Sequence, residues 1–397
     1  MTNKLILLAT LTIWQVCTSA QSVAPQKLTG KRYGFAFNNV TVEIDTADGA
    51  RIVSFKADNK EILYTGSTQD MNGSTFWPSP QSFWNWPPIA EIDNKAYAVK
   101  ITGNKLKMEG KTNATHKLSV TKIFEADSRD TSFTITYILI NHNTTTKKYA
   151  PWEVTRVLAE GLTFFGKGTT EVTGNMKTNA VVADNTVWYH QDSTNSGSNF
   201  NKFFCDGQGW LAHANKENYL FLKKFENIEA ANAATGEAEI EVYTADNHAY
   251  TELENQGAYV SVNAGDSIKW KVKWYVRKIE SKNDIFTGSQ KLISIAKRLI
   301  SLPELPDTFS TTRISQVKNQ GINLYPVPVR EKLTVKLPDN VNKATVSIYN
   351  MQGAMVLSSD ITASNSSISL KHVPAGPYVC RVYSKSGLNE NKFFLIQ

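Results

Sequence analysis

Cysteine is nearly missing from this 397-residue chain: there are three, Cys17, Cys205 and Cys380. The first falls in an N-terminal leader and the other two in separate segments, so no disulfide framework is expected and the fold must stand on its own core. Long apolar runs are absent beyond the first twenty residues, and none approaches the ~20 residues a membrane helix needs. Arg-rich stretches interleaved with aromatics are missing too. The net charge of +7 is carried by single lysines on alternating strands, which argues against nucleic acid as a partner. There is no Gly-rich phosphate loop, no His/Cys metal spacing and no Gly-x-Ser-x-Gly turn, so neither a metal nor a cofactor is expected.

What is present begins with a leader. Lys4 precedes the apolar run Leu5-Ile6-Leu7-Leu8-Ala9, and Thr18-Ser19-Ala20 offers small residues for cleavage. Residues 1–20 read as a secretory signal peptide. Cys17 follows Trp14-Gln15-Val16 rather than a small residue, so no lipid anchor is expected. Beyond it, period-two alternation predominates. Val40, Val42 and Ile44 alternate with Thr41 and Glu43, and Asp48-Gly49 turns into Arg51–Phe55. Phe133, Ile135 and Tyr137 alternate with threonines, Ile240 and Val242 with Glu239 and Glu241, and Trp270, Val272, Trp274 and Val276 with Lys269, Lys271, Lys273 and Tyr275. Such alternation indicates antiparallel strands with one buried and one wet face. The chain is expected to be mostly β, with one helix near 289–300 capped by Ser289 and ended by Pro303. The expected domains are residues 27–300 and 322–397, joined by a linker at 301–321. Five or more short strands in the second suggest an immunoglobulin-like sandwich.

Phe76 to Pro88 holds three of the nine tryptophans and four of the thirteen prolines. Proline fixes φ and removes a donor, so this segment reads as a stiff loop outside regular structure. Its rings either stack on the C–H faces of a sugar or cap a sandwich core. Trp84 and Trp86 share strand-like parity and are the ligand-facing pair; Trp77 reads as a buried anchor. His248, Tyr250, Glu252 and Glu254 share parity, backed by Ala249, Thr251 and Leu253, which makes a polar, aromatic strand face suited to a sugar groove. An exposed sheet face gives the same pattern. Trp152 and Arg156 face one way in their strand, Glu153 and Thr155 the other. Arg156 can donate a bidentate pair to hydroxyls or a carboxylate, unless a neighbouring Glu holds it. Lys202 is a similar candidate. His190 follows Val187-Trp188-Tyr189 and precedes Asp192, which would orient it. His116, His142 and His213 sit among Lys, Asn or Thr in expected turns and read as surface. Glu252 and Glu254 lie about 6.5 Å apart along a strand, a spacing a glycosidase tolerates, but no surrounding glycosidase pattern accompanies them.

The C-terminal segment resembles the sorting domain of the type IX secretion system. The resemblance rests on Leu324-Tyr325-Pro326-Val327-Pro328, on Val346 to Gly353 and on Val373-Pro374-Ala375-Gly376-Pro377-Tyr378. Val327, where the family more often has Asn, and the apolar ending Phe393-Phe394-Leu395-Ile396 depart from the pattern. The resemblance implies export across both membranes of a Gram-negative cell, to the medium or the outer surface, with the secretion machinery as partner.

The large domain resembles the galactose-mutarotase-like supersandwich, and within it an uncharacterised family. This rests on the 40–55 hairpin, the Trp/Pro loop, Ala150 to Arg156, Phe204 to Leu211, Tyr250 to Gly257 and Ala264-Gly265-Asp266. It implies a carbohydrate ligand on the concave face of one sheet, and acid-base chemistry in which a carboxylate deprotonates the anomeric hydroxyl while a histidine protonates the ring oxygen. Glu254 is then the base, with Glu252 second, and His190 or His248 the acid. Trp84, Trp86, Arg156, His248, Tyr250 and Lys202 would bind the sugar. The alternative is a non-catalytic glycan-binding or structural surface protein.

Overall fold

The computed structural model describes residues 22–66, 71–191, 201–245, 249–303, 322–338, 341–350, 354–362, 365–384 and 389–397. The expected signal peptide lies outside them, as does most of the expected linker. The chain divides into two compact units, residues 1–308 and 309–397.

Alternation in the large unit builds two antiparallel sheets, of eleven and twelve strands among the described residues. Sheet I has at its centre Trp210–Asn215, Tyr219–Phe225, Ser267–Lys278, Ser132–Asn141 and Leu118–Asp127 in that order. Sheet II runs from Thr173–Gly174 through Asn201–Cys205, Ile240–Thr244, Tyr250–Gln256, Lys147–Leu158, Ser74–Ser79, Arg51–Ala57 and Val40–Asp45 to Arg32–Phe37 and Gln26–Lys27. The facing sides are apolar and interlock. Phe55 of sheet II meets Trp274 of sheet I edge-on at 5.3 Å, and Phe221 meets the same indole at 5.0 Å. Each fully buried side chain of this kind stabilises the fold by about 1.5–3 kcal/mol.

The 40–55 hairpin forms as its pattern predicts, with Gly49 at φ +59° and the Asp93 carbonyl 1.9 Å from where a Cβ would stand. Only glycine fits there. The helix spans Gln290–Ile300; Ser289 Oγ accepts the Leu292 N–H at 3.3 Å, and Leu292, Ile293, Ala296 and Leu299 are buried. The Trp/Pro segment departs from expectation. Its first part is not a loop but the tail of the strand Ser74–Ser79, deep in sheet II, where Trp77 lies opposite Trp152 and Pro78 opposite Pro151. Pro78 is accommodated because this strand meets Arg51–Ala57 only where Ser74 faces Ile52, so beyond Ser74 it has one paired side.

The C-terminal unit has its own core, including Leu333, Val335, Val346, Ile348, Cys380, Val382 and Ile396. Among the described residues, two antiparallel sheets of three and four strands surround it. Cys205 and Cys380 are buried free thiols, each pushed up to about 12, chiefly by burial.

Candidate functional site

Register decides which side of sheet II carries the charges. Tyr137 and Trp274 of sheet I donate to Glu153 Oε2 and Oε1 at 2.6 and 3.0 Å, so Glu153 points into the sandwich. Its neighbours Trp152 and Val154, and Arg156 beyond, therefore face outward. Arg156 lies opposite Glu252 and Val154 opposite Glu254. On the next strand Glu241 is opposite Glu254 and Tyr243 opposite Glu252, and Lys202 is opposite Tyr243. The structure thus brings Arg156, Lys202, Tyr250, Glu252 and Glu254 onto one face, and adds Trp77, Trp152 and Glu241.

Two ion clusters occupy that face. Lys202 Nζ stands 2.9 Å from Glu254 Oε2 and contacts Glu241 Oε2, and the same nitrogen lies 5.0 and 5.4 Å from the ring centres of Trp152 and Phe204. Trp152 Nε1 donates to the same Glu254 oxygen at 2.9 Å, leaving Glu254 Oε1 enclosed without a donor. Burial dominates both acids: it pushes Glu254 up to about 8 and Glu241 up to about 7, with Lys202 opposing the rise. Burial works against the Lys202 charge, but the two glutamates outweigh it and hold the ammonium above its ordinary value. In the second cluster, Arg156 Nη2 pairs with Glu252 Oε1 at 2.8 Å, and the guanidinium lies 5.8 and 5.7 Å from the rings of Trp77 and Tyr250. Arg156 is fully buried, and its Nε and Nη1 have no hydrogen-bond partner.

The Trp/Pro segment folds over this face. Trp77 is buried, as an anchor should be, and donates to Asp93 Oδ1 at 2.8 Å, which also accepts from Thr75 Oγ1 at 2.7 Å. Trp84 and Trp86 part company, because a short 3-10 turn at Gln81–Phe83 and irregular backbone after it remove any strand parity. Trp84 is buried with its Nε1 donating to the Pro78 carbonyl at 2.7 Å, whereas Trp86 is 57% exposed and edge-on to Trp77 at 6.1 Å.

His190 does not join the carboxylates. Tyr189 Oη meets Thr244 Oγ1 of sheet II at 2.8 Å, so Tyr189 points between the sheets and the next residue, the exposed His190, points outward from sheet I. The whole sandwich separates it from Glu254. His248 and Asp192 lie outside the described residues. His213, expected at the surface, is instead buried on Trp210–Asn215, with Nδ1 3.0 Å from Thr163 Oγ1; burial brings it down to about 3, with His190 adding to the effect.

Sequence reasoning missed three acids. Glu239 and Glu241 were expected on a wet strand face; both are buried, because loops cover that end of sheet II. Glu239 accepts the Gly207 and Gly209 N–H groups at 3.0 and 2.9 Å and is pushed up to about 7 by burial, with Asp206 adding to the rise. Asp206 accepts from Thr169 N–H and Oγ1. Glu239 and Asp206 line a cleft of about 460 Å³ with Phe204, Glu171 and Glu237. Glu237 in turn accepts the Gln81 N–H of the Trp/Pro segment at 2.8 Å. The sequence signal was the Phe204-Cys205-Asp206-Gly207-Gln208-Gly209 run, whose glycine N–H groups a buried acid needed.

Comparison with solved structures gives partial overlaps. The chain is similar to a TPR-domain containing protein from Parabacteroides distasonis, at 11% identity and TM-score 0.47, covering 64% of this chain and 48% of that one, so it spans about half that protein's length. It is similar to a galactose mutarotase-like protein from Lactobacillus casei, at 9% identity and TM-score 0.46, covering 64% and 100% of the two chains. A galactose mutarotase-like protein from Clostridium acetobutylicum overlaps at 11% identity and TM-score 0.40, covering 65% and 98%. No curated protein sequence matches the chain. Residues 323–397 match the family described as secretion system C-terminal sorting domain, so the C-terminal unit carries a sorting tail of that kind.

Proposed function

We propose that this chain is an exported glycan-binding protein whose site is the outer face of sheet II, under the Trp/Pro segment. The observation that carries this reading is the convergence of buried charges on a face outside the sandwich core. Lys202, Glu241, Glu254, Arg156 and Glu252 lie there, beside the half-exposed Tyr250 and the exposed Trp86 ring. Glu254 Oε1 and two Arg156 nitrogens keep unused hydrogen-bonding capacity. A hydroxyl-rich ring that stacks on an indole and answers such groups is a sugar. The domain limits we propose are 27–300 for this sandwich and 322–397 for the tail. Residues 1–20 would take the chain across the inner membrane and the tail across the outer one, to the surface or the medium of a Gram-negative cell.

A second reading, acid-base chemistry on the sugar, is favoured by Glu254. A carboxyl pushed up to about 8 keeps its proton near neutrality and is a general acid. Glu252, on the same strand face, is the accompanying carboxylate, and no histidine is required.

Glycan-array binding with the purified chain tests the first reading. Binding should weaken about tenfold or more in Trp86→Ala; a wild-type chain that captures no glycan overturns it. NMR exchange of aldose anomers tests the second, which fails if wild type gives no acceleration over buffer.

A further inference from the structure

Between the sheets, away from the proposed site, stands a group that packing alone does not explain. Lys223, on Tyr219–Phe225 of sheet I, is fully buried and crosses to sheet II. Its Nζ donates to the Leu253 carbonyl at 2.8 Å and to Thr155 Oγ1 at 3.0 Å, and pairs with Glu153 Oε1 at 3.1 Å. Leu253 is opposite Thr155, and the next inward-facing pair along the same two strands is Glu153 opposite Asn255. Directly opposed residues have Cβ atoms about 4.5–5.5 Å apart, so the Asn255 amide sits beside the Glu153 carboxylate that holds Lys223. Asn255 is fully buried, yet neither its Oδ1 nor its Nδ2 has a hydrogen-bond partner. An ion pair between Lys223 and Glu153 leaves that amide unaccounted for, and an unbonded buried amide costs about 1–3 kcal/mol. An amide that nothing holds is also free to turn towards the amine.

We propose that Lys223 and Asn255 become joined by an intramolecular amide bond, with Glu153 moving the protons. The Glu153 carboxylate takes one proton from the Lys223 ammonium, and the neutral Nζ attacks Asn255 Cγ. The Cγ–Nδ2 bond breaks, the departing nitrogen takes a second Nζ proton and leaves as ammonia, and Glu153 returns its proton to give ammonium. Atoms and charge balance without an oxidant or a second substrate. The setting favours each step. Burial lowers the ammonium below its ordinary value, more than Glu153 restores it, which assists formation of the amine. Tyr137 and Trp274 fix the carboxylate from sheet I, which keeps it in place as the base. The product would tie one sheet to the other by a covalent link that no reductant breaks, in a chain without a disulfide among its described residues.

Peptide mapping by mass spectrometry on the full chain, held overnight at 37 °C, is the test. The expected result is one branched peptide joining the Lys223 and Asn255 segments, lighter than their sum by about 17 Da, the ammonia lost, with no tryptic cut after Lys223. Asn255→Ala and Glu153→Gln should each return two linear peptides. Wild-type protein cut normally after Lys223, with Asn255 intact or merely deamidated, overturns the proposal, and this readout needs no variant to fold. A Glu153→Gln chain that still yields the branched peptide overturns the role given to Glu153.

Discussion

Lys202 Nζ lies 2.9 Å from Glu254 Oε2 and also touches Glu241, so one ammonium serves two buried carboxyl groups. Burial raises both acids, and the one cation they share opposes that rise without cancelling it. The consequence for pH follows from the sign of the shift. A folded value raised from 4.5 to about 8 means that the stabilisation from Glu254 is complete below about pH 4.5 and is lost as pH rises through 8. The melting temperature should therefore fall between about pH 4.5 and 8, and Glu254→Gln should flatten that fall. Calorimetry across this range checks it; an unchanged slope in the variant contradicts the assignment.

His213 works on the acid side. Its folded value, brought down from 6.5 to about 3, gives stabilisation that is present above pH 6.5 and lost progressively as pH falls towards 3. His213→Gln should lessen the acid sensitivity between those limits. The same ring leaves no room beside it: a Cβ on Gly161 would stand 2.3 Å from His213 Cε1 and Nε2. Gly161→Ala is expected to cost about 1–3 kcal/mol by urea unfolding, less in a His213→Ala background.

The two loop tryptophans should separate stability from binding. Trp84→Ala removes a buried ring and its bond to the Pro78 carbonyl, with an expected loss of about 3–5 kcal/mol. Trp86→Ala touches a ring that is mostly in solvent and should change stability by no more than about 0.5 kcal/mol, while weakening glycan capture. Equal effects of the two on unfolding would refute the division.

Arg156→Met leaves the Glu252 carboxylate buried without its cation, at a cost of about 3–5 kcal/mol. Pairing it with Glu252→Leu should recover much of that loss. A double-mutant cycle in denaturant measures the coupling, and additive losses would mean that the 2.8 Å contact contributes nothing.

Deleting residues 323–397 should leave the large unit folded but keep it inside the cell envelope. Fractionation of cells expressing the shortened chain, against full-length protein recovered outside, checks this. Normal release of the shortened chain would show that the matched tail is not the export signal.

Much of this could be read from residue order. The polar face at Tyr250, Glu252 and Glu254, and the opposed orientations of Glu153 and Arg156, follow from strand parity, which is local. The helix is marked by its Ser289 cap. What sequence could not provide is register between strands far apart in the chain, which sets Lys202 between Glu241 and Glu254. Alternation also leaves open whether a polar face meets water or a covering loop, hence the misreading of Glu239 and Glu241. His213 was misjudged for a related reason: the polar residues after it belong to the turn, while its own strand is buried throughout. Trp84 and Trp86 have no parity to read, since their backbone is irregular.

Pro78 opposite Pro151 has a bearing on self-association. From Thr75 onward the strand has no second neighbour among the described residues, and a bare ladder edge of this kind is an opening for a strand from another chain. Proline offers no N–H to such an intruder, and the folded-over segment with its buried Trp84 blocks the approach. A chain that carries a secretion sorting tail thereby has one fewer place at which two molecules can zip together.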